Sequence, residues 1–212
     1  MNENKGRFIV LEGIDGAGKT TQAELLEKYL VASGRQVART AEPTGYAGGV
    51  ALRAALGGKV KKSECEMAAM FVLDRIEHNI HEGDGIEALL ADGYDVICDR
   101  YYDSSYAYQL AGRRISEDVL DQLNDLVVKD AHPDMTFLLD LTLDVSLQRV
   151  SGRGEADRLE LEGLAFKQRV RDGFLAQAKK HPDRICVVDA SKSPEGIFND
   201  ILWHLEQRGI KA

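Results

Sequence analysis

The residues best suited to chemistry in this sequence form a glycine-rich segment of the pattern G-x-x-x-x-G-K-[ST]. It reads GIDGAGKT and spans residues 13–20, between an apolar run at residues 8–11 and a segment with helical spacing. Glycines let successive backbone N–H groups turn inward, and a helix N-terminus adds positive potential, so such a loop binds polyphosphates. The lysine reaches the outer phosphates and the hydroxyl can ligate magnesium. The strand-before, helix-after context favours a nucleotide site over a turn without a ligand.

The loop and the residue after it are therefore the predicted nucleotide-binding residues. They are Gly13, Ile14, Asp15, Gly16, Ala17, Gly18, Lys19, Thr20 and Thr21. Asp15 is unusual there, because a carboxylate lies close to bound anions. Either it points away from the phosphates, or it helps to hold magnesium or a sugar hydroxyl.

An aspartate and an arginine, Asp99 and Arg100, directly follow a later apolar run at residues 94–98. Ligands of an open parallel sheet bind beyond the carboxyl ends of its strands, where the phosphate loop also lies. Asp99 can hold magnesium directly or through water, and the planar guanidinium of Arg100 can bridge donor and acceptor phosphates. The alternative is a surface ion pair at a strand end.

Residues 101–109, YYDSSYAYQ, combine hydroxyls, aromatic rings and one amide. Such groups suit the recognition of a sugar and a base edge, because a hydrogen-bonding site strongly rejects the wrong ligand. We expect Ser104, Ser105, Tyr108 and Gln109 to contact a substrate and the remaining tyrosines to pack in the core.

Two further groups of residues suit an acceptor and a closing flap. Phe71 and Arg75 are four apart on one helix face, where a ring could stack on a base and a guanidinium could reach its edge. A core phenylalanine with a surface arginine is the alternative.

The polar stretch 151–158 is typical of a flap over a phosphoryl-transfer site. Arg149, Arg153 and Arg158 could stabilise the charge of the transferring group, or form a solvated basic helix end.

Composition narrows the class of protein. The chain has 212 residues, 44% of them hydrophobic and 29% charged, with a net charge of -8. These values fit a globular domain and neither a disordered nor a membrane protein, and the acidity argues against a broad nucleic-acid surface. No signal peptide or membrane span is visible in the sequence. Cys65, Cys98 and Cys186 lack metal-ligand spacing, and free thiols fit a reducing cytosol.

Short β-branched runs alternate with helical patterns, which predicts a single α/β domain over residues 1–212, with a parallel sheet covered by helices on both faces. The predicted strands are residues 8–11, 37–40, 96–98, 136–141 and 185–188. The predicted helices are residues 20–32, 48–56, 64–91, 117–131, 145–150, 160–180 and 194–207.

Taken in order, these stretches resemble the thymidylate kinase (dTMP kinase) family nearly from end to end. The matching segments are EGIDGAGKTTQ (12–22), EPTG (42–45), FVLDR (71–75), DRYYDSSYAYQ (99–109), HPDMTFLLDL (132–141), RVSGRGEADRLE (149–160) and FKQRVRDGF (166–174). The resemblance implies a three-layer P-loop NTPase fold with a five-stranded parallel sheet and an arginine-bearing lid at about residues 149–160. It also implies that ATP phosphorylates dTMP with magnesium, giving ADP and dTDP, in dTTP biosynthesis.

The resemblance also implies roles for single residues. Phe71 would stack on thymine and Arg75 would reach its edge, while Arg100 would bind the dTMP phosphate. The acceptor site would comprise Asp15, Glu42, Pro43, Arg53, Phe71, Arg75, Arg100, Ser104, Ser105, Tyr108 and Gln109. Lys19, Arg100, Arg149 and Arg153 would be catalytic, and Thr20 and Asp99 would hold the metal. Family members form homodimers through helices.

Two positions bear on how this chain distributes its charges. Gly16, where other members carry arginine, matches the bacterial-type arrangement in which the lid supplies the catalytic cation. Many relatives have Thr-Arg-Glu-Pro where this chain has Thr40-Ala41-Glu42-Pro43, and Arg39 or Arg53 could compensate for the missing arginine.

Two other functions remain to be weighed. A kinase of the same fold could act on another nucleoside monophosphate or on a deoxynucleoside. A nucleotide-sensing switch often needs an Asn/Thr-Lys-x-Asp segment that reads guanine, and the sequence has none.

Overall fold

A computed structural model describes residues 5–128, 131–150 and 163–210. Within these ranges the chain forms one five-stranded sheet. Its strands are β1 (Phe8–Glu12), β2 (Val37–Ala41), β3 (Asp95–Asp99), β4 (Met135–Asp140) and β5 (Ile185–Asp189), all parallel, in the order β2-β3-β1-β4-β5. The predicted α/β fold with a five-stranded parallel sheet is confirmed.

The central strand shows why the sheet has helices on both sides. Every residue of β1 is buried, and its side chains alternate between two apolar clusters. Ile9 and Leu11 belong to one cluster and Phe8 and Val10 to the other. A strand that is buried on both faces reads as a continuous apolar run, as this one does.

Most of the described helices begin and end close to the residues predicted from the sequence. They are α1 (Lys19–Ala32), α2 (Ala47–Leu56), α3 (Glu64–Ile80), α4 (Ile86–Ala91), α5 (Tyr102–Ser105), α6 (Glu117–Val127), α7 (Leu143–Val150), α8 (Leu164–Lys180) and α9 (Pro194–Gln207). A π-helical segment, Tyr106–Gly112, continues α5. Ser63 caps α3 in a complete capping box with Glu66, and Ser193 caps α9. None of the helices in the described ranges is long and apolar enough to cross a membrane.

The prediction of one helix over residues 64–91 was wrong. The chain leaves the helix at His81, turns through Gly83 at a φ of 91°, and begins α4 after Gly85. Glycine adopts positive φ without steric cost, which explains the turn at Gly83. At Gly85 a Cβ would lie 2.6 Å from the backbone of His81, so only glycine fits this close approach. The helix predicted to reach residue 131 ends at Val127.

The helical character of residues 102–112 was not predicted, because this run was interpreted only by its hydroxyls and aromatic rings. The segment packs closely against α8. A Cβ at Gly173 of α8 would lie 2.6 Å from the Cβ of Ala111 and 3.0 Å from the Cα of Ala107. The absence of a side chain at Gly173 therefore lets the two helices approach.

Sheet register brings the phosphate loop and the Asp99-Arg100 pair together. Leu11 of β1 pairs with Asp99 of β3, and the Arg100 N–H donates to the Leu11 carbonyl at 2.9 Å. Both segments leave the sheet at the carboxyl ends of adjacent strands, which is where ligands of such sheets bind.

Candidate active site

The phosphate loop has the backbone shape of an anion cradle. Gly13, Gly16 and Gly18 have φ values of 143°, 79° and 93°. Gly18 is the N-cap of α1 and makes no side-chain hydrogen bond, so in the described part of the chain no capping side chain covers the N-terminus of that helix. Such N–H groups, together with the helix dipole, attract phosphate.

The loop also lies close to its neighbours. A Cβ on Gly13 would lie 2.6 Å from the Leu139 carbonyl oxygen. On its other side the loop contacts α7, where the Ser146 hydroxyl donates to the Asp15 carbonyl at 2.7 Å. Packing from β4 and α7 therefore holds the cradle in shape before a ligand arrives.

Lys19 is nearly buried, and its ammonium donates to the Gly13 and Ile14 carbonyls at 3.1 and 3.2 Å. Burial and the positive charge of Arg100 lower the pKa of Lys19. Phosphate oxygens would replace the two carbonyls as acceptors, and a charged partner makes a stronger hydrogen bond than a neutral one.

The two predicted magnesium ligands lie together. The Thr20 hydroxyl donates to a carboxylate oxygen of Asp99 at 3.0 Å. Among the described residues no group of three or more acidic, histidine or cysteine side chains could hold a metal alone. Magnesium in kinases is held by one or two protein oxygens plus substrate phosphates, so the Thr20–Asp99 pair fits that ion.

Arg100 occupies the boundary of the site in an uncommon backbone conformation, with a φ of 70°. Its guanidinium donates to the Gly13 carbonyl at 3.1 Å, pairs with Asp15, and lies 5.3 Å from the centre of the Tyr108 ring. Burial alone lowers the pKa of Arg100, but Tyr108 and the carboxylates of Asp15 and Asp99 outweigh it, so the pKa is raised.

The structure shows which group the Asp15 side chain contacts. Its carboxylate turns toward Arg100 rather than away from the cleft. Burial raises the pKa of Asp15, but the charges of Arg100 and Lys19 outweigh that effect and the pKa is lowered. Asp15 is thus an anion that orients the arginine.

Glu12 is a site residue that the sequence interpretation missed. It is the last residue of β1, 1% exposed, and accepts the N–H groups of Tyr101 and Ser104 at 2.8 and 3.0 Å and the Ser104 hydroxyl at 2.7 Å. Burial, followed by the negative charge of Asp103, raises the pKa of Glu12 to about 7. A charged residue that ends an apolar strand next to a phosphate loop was the available signal.

Two cavities meet at Asp15 and Arg100. The first, of about 780 Å³, is lined by the loop and by Thr20, Thr21, Ala41, Glu42 and Asp99. The second, of about 460 Å³, contains Pro43, Leu56, Phe71, Ser104, Tyr108 and Gln109. Both include Asp15 and Arg100 in their walls. The geometry can accommodate two ligands that meet at one arginine.

The second cavity brings together five of the predicted acceptor residues with Arg100 and Asp15. Phe71 and Pro43 provide flat apolar surface, while Ser104, Tyr108 and Gln109 provide polar groups. Gln109 is 1% exposed, and its side-chain nitrogen has no hydrogen-bond partner among the described residues. An unpaired buried amide costs free energy unless a ligand or water satisfies it, so its position is typical of a recognition group.

Three of the predicted acceptor residues form a buried network beside this cavity. Arg75, 1% exposed, donates to Glu42 at 2.6 Å, to the Ser105 hydroxyl at 3.1 Å and to Asn124 at 3.1 Å. Burial raises the pKa of Glu42, but Arg75 and His78 outweigh it and the pKa is lowered. Arg75 and Ser105 do not line the second cavity, whereas Glu42 lines the first.

The remaining predicted arginines lie at the margin or outside the described residues. Arg53 is exposed on α2 and donates to the Pro43 carbonyl at 2.6 Å. Arg149 in the last turn of α7 donates to the Gly16 and Ala190 carbonyls at 3.2 and 3.0 Å. Arg153, Arg158 and most of the predicted lid lie outside the described residues.

Known proteins resemble this chain in sequence and in fold. A family model described as thymidylate kinase matches residues 11–201. A thymidylate kinase of Methylococcus capsulatus is 43% identical over 188 residues, 88% of each chain. One of Carboxydothermus hydrogenoformans is 42% identical over 204 residues, which is 95% of this chain and 98% of that one. The crystal structure of thymidylate kinase from Ehrlichia chaffeensis, at 34% identity, superposes with a TM-score of 0.76 and covers 95% of this chain and 99% of that one.

Proposed function

The chain belongs to the thymidylate kinase family, and we propose how its cleft divides between the two nucleotides. Its reaction is the transfer of the γ-phosphoryl group of ATP to dTMP, which gives ADP and dTDP. Membership of the family places this step in dTTP synthesis. The single observation that carries the division is that two cavities share Asp15 and Arg100.

The donor nucleotide occupies the first cavity in this proposal. The loop N–H groups and Lys19 hold the ATP phosphates, and Arg100 lies where the γ-phosphoryl group meets the acceptor. Because charge spreads over the transferring oxygens, donors fixed in advance stabilise the transition state without reorganising. No covalent intermediate on the protein is required.

Magnesium is the proposed ion of the donor site. Thr20 and Asp99 would hold it, directly or through water, together with the phosphates. When bound it neutralises the charge that develops on the phosphate oxygens. Arg149 and Arg153 are the proposed lid cations, and the contact of Arg149 with the Gly16 carbonyl supports its position beside the loop.

The acceptor dTMP occupies the second cavity. Phe71 stacks on thymine, Gln109 and Tyr108 read the base and sugar, and Arg100 binds the phosphate. Arg75 is held beside this cavity by Glu42 and would have to turn its guanidinium toward the cavity to reach the base edge. Arg53 borders the phosphate through its contact with Pro43. The flat, mostly apolar wall and the unpaired amide of Gln109 support this assignment.

Replacement of Phe71 tests the acceptor role. Phe71→Ala removes a stacking surface worth about 1–3 kcal/mol, so the KM for dTMP should rise roughly 10-fold or more while the KM for ATP changes little. A coupled assay that measures ADP release over a panel of nucleoside monophosphates gives both constants. Trp203→Ala, which removes an exposed aromatic ring from α9, is the matched control. Equal losses for ATP and dTMP would contradict the stacking role.

The number of nucleotide sites tests the division itself. Calorimetry should detect one site for a non-hydrolysable ATP analogue and a separate site for dTMP on each chain. If the two ligands compete for one site, or if no nucleoside monophosphate supports ADP formation, the assignment is wrong.

We also propose a homodimer in the cytosol. Leu73, Ile76 and Ile80 lie on one face of α3 and are 51%, 37% and 64% exposed, an apolar stripe that a second copy could cover. Light scattering should give twice the chain mass of 23.4 kDa. The free thiols of Cys65, Cys98 and Cys186 support a reducing compartment.

A further inference from the structure

The chain between β2 and α2 is held by side chains of α3. Asp74 accepts the backbone N–H of Thr44 at 3.0 Å, and Glu77 accepts the N–H of Gly48 at 2.7 Å. This part of the chain includes Pro43, which lines the second cavity. The contacts of α3 therefore determine where one wall of the proposed acceptor site lies.

The carboxylate of Glu42 is bound to α3 through both of its oxygens. Oε2 accepts from the Arg75 guanidinium at 2.6 and 3.1 Å, and Oε1 lies 3.2 Å from Nδ1 of His78. Nε2 of the same ring lies 2.7 Å from the Thr40 hydroxyl of β2. The side chains of Arg75, His78 and Glu42 are 1%, 1% and 3% exposed. Each oxygen of this buried carboxylate thus depends on a partner from the protein.

Charge fixes the direction of the hydrogen bond between His78 and Glu42. Burial raises the pKa of Glu42, but Arg75 and His78 outweigh it and the pKa is lowered, so the carboxylate is ionised. An ionised carboxylate only accepts, so Nδ1 of His78 carries a proton and donates it. The Thr40 hydroxyl can donate or accept at Nε2. The imidazole ring therefore orients Glu42 and is itself oriented by β2.

Two connections lead from Glu42 to the second cavity. Pro43 follows it in the chain and lines that cavity. Arg75, which holds the other carboxylate oxygen, donates to the Ser105 hydroxyl at 3.1 Å, and the neighbouring Ser104 lines the cavity. The phosphate loop is held separately, by β4 and α7. A change at Glu42 should therefore reach the acceptor site before it reaches the phosphate cradle.

We propose that His78 is a positioning residue for the acceptor nucleotide. Its Nδ1–H holds one oxygen of Glu42, so that the other oxygen keeps Arg75 in place and the chain at Pro43 keeps its position. Without this hydrogen bond a buried carboxylate oxygen is left unpaired, and the carboxylate turns toward another donor. Arg75 and Pro43 then move with it. His78 itself touches neither nucleotide, and the proposal rests on the proposed assignment of the second cavity to dTMP.

Two amide side chains separate the two contacts of the ring. Asparagine places its nitrogen at the δ position, where it can donate to Glu42, whereas glutamine places its nitrogen at the ε position, beside Thr40. In His78→Gln the Kd for dTMP, measured by calorimetry, should rise about 10-fold, and that for a non-hydrolysable ATP analogue by less than about twofold. His78→Asn should bind dTMP within about twofold of the wild type. Thr40→Val removes only the second contact, so it is the matched control and should also keep the affinity for dTMP.

Urea denaturation of each variant separates positioning from folding. His78→Gln and His78→Asn each lose one of the two hydrogen bonds of the ring, so their free energies of unfolding should fall by similar amounts. Equal dTMP affinities for these two variants, or equal weakening of dTMP and the ATP analogue, would mean that His78 only supports the fold, and would overturn the proposal. If His78→Gln does not fold, His78→Ala takes its place with the same expected result. Failure of the wild-type chain to bind dTMP would instead contradict the acceptor assignment.

Discussion

The raised pKa of Glu12 predicts how the free energy of unfolding depends on pH. The carboxyl group is 1% exposed, and its pKa in the folded chain is about 7, against 4.5 as the ordinary value. The folded chain therefore holds this proton more tightly than the unfolded chain. Its favourable contribution is complete below pH 4.5 and is lost as the pH rises through 7. Between pH 5 and pH 8 the loss amounts to about 2.5 kcal/mol.

Glu12→Gln removes the charge with little change of shape. The amide oxygen can still accept the N–H groups of Tyr101 and Ser104, and the amide nitrogen can donate to the Ser104 hydroxyl, which rotates to accept. A glutamine does not ionise in this range. The variant should therefore gain stability relative to the wild type as the pH rises, by about 2.5 kcal/mol between pH 5 and pH 8.

Urea denaturation followed by circular dichroism at several pH values measures this difference. At pH 8 the gain corresponds to an increase in Tm of roughly 5–10 °C relative to the difference at pH 5. Glu206→Gln removes one carboxylate from an exposed position at the end of α9 and controls for the change in net charge. Parallel curves for wild type and Glu12→Gln would refute the reasoning, because they would mean that Glu12 titrates alike in both states.

Two further substitutions address the loop and the helix behind the acceptor cavity. Lys19→Ala should lower kcat at least 100-fold, because it removes a cation from the transferring phosphates, while urea denaturation should show a nearly unchanged free energy of unfolding; a large loss of stability would mean that Lys19 is mainly structural. Gly173→Ala places a Cβ 2.6 Å from that of Ala111, so α8 must move away from the segment that carries Tyr108 and Gln109. We expect a loss of about 1–3 kcal/mol in unfolding and a higher KM for dTMP. Gly196→Ala, whose Cβ would approach only Lys192 and Ser193 at 3.3 and 3.4 Å, is the matched control and should change neither.

Much of the fold could be predicted from the sequence because its signals are local. Four of the five strands are built on a short run of apolar or β-branched residues, and the caps at Ser63 and Ser193 involve residues three positions apart. The break after Ile80 was equally local, since Gly83 and Gly85 mark it, and its omission was an error of interpretation. The start of the phosphate loop followed from its motif alone.

The partners within the site could not be predicted in the same way, because they are distant in sequence. Asp15 and Arg100 are 85 positions apart, and Glu12 and Ser104 are 92 apart. The motifs indicated which residues could take part in chemistry. They could not predict that the Asp15 carboxylate contacts the Arg100 guanidinium. Likewise, Arg75 was expected at a base edge, and only the packing of α3 against α6 shows that Glu42 and Asn124 already hold it.

The surroundings of Arg100 explain why the carboxylates of Asp15 and Glu12 are needed beside it. The Arg100 side chain is only 18% exposed, and a guanidinium so far removed from water is unfavourable without a partner. The left-handed backbone at this residue adds a strain of about 1–3 kcal/mol. Asp15 offsets the buried charge directly, and Glu12 holds the backbone of Tyr101 and Ser104 that follows the arginine. Arg100 is thus fixed between two cavities before any phosphate arrives, and little reorganisation remains for the reaction. Loss of either acid should therefore affect the transfer step even though neither is required to touch the transferred group.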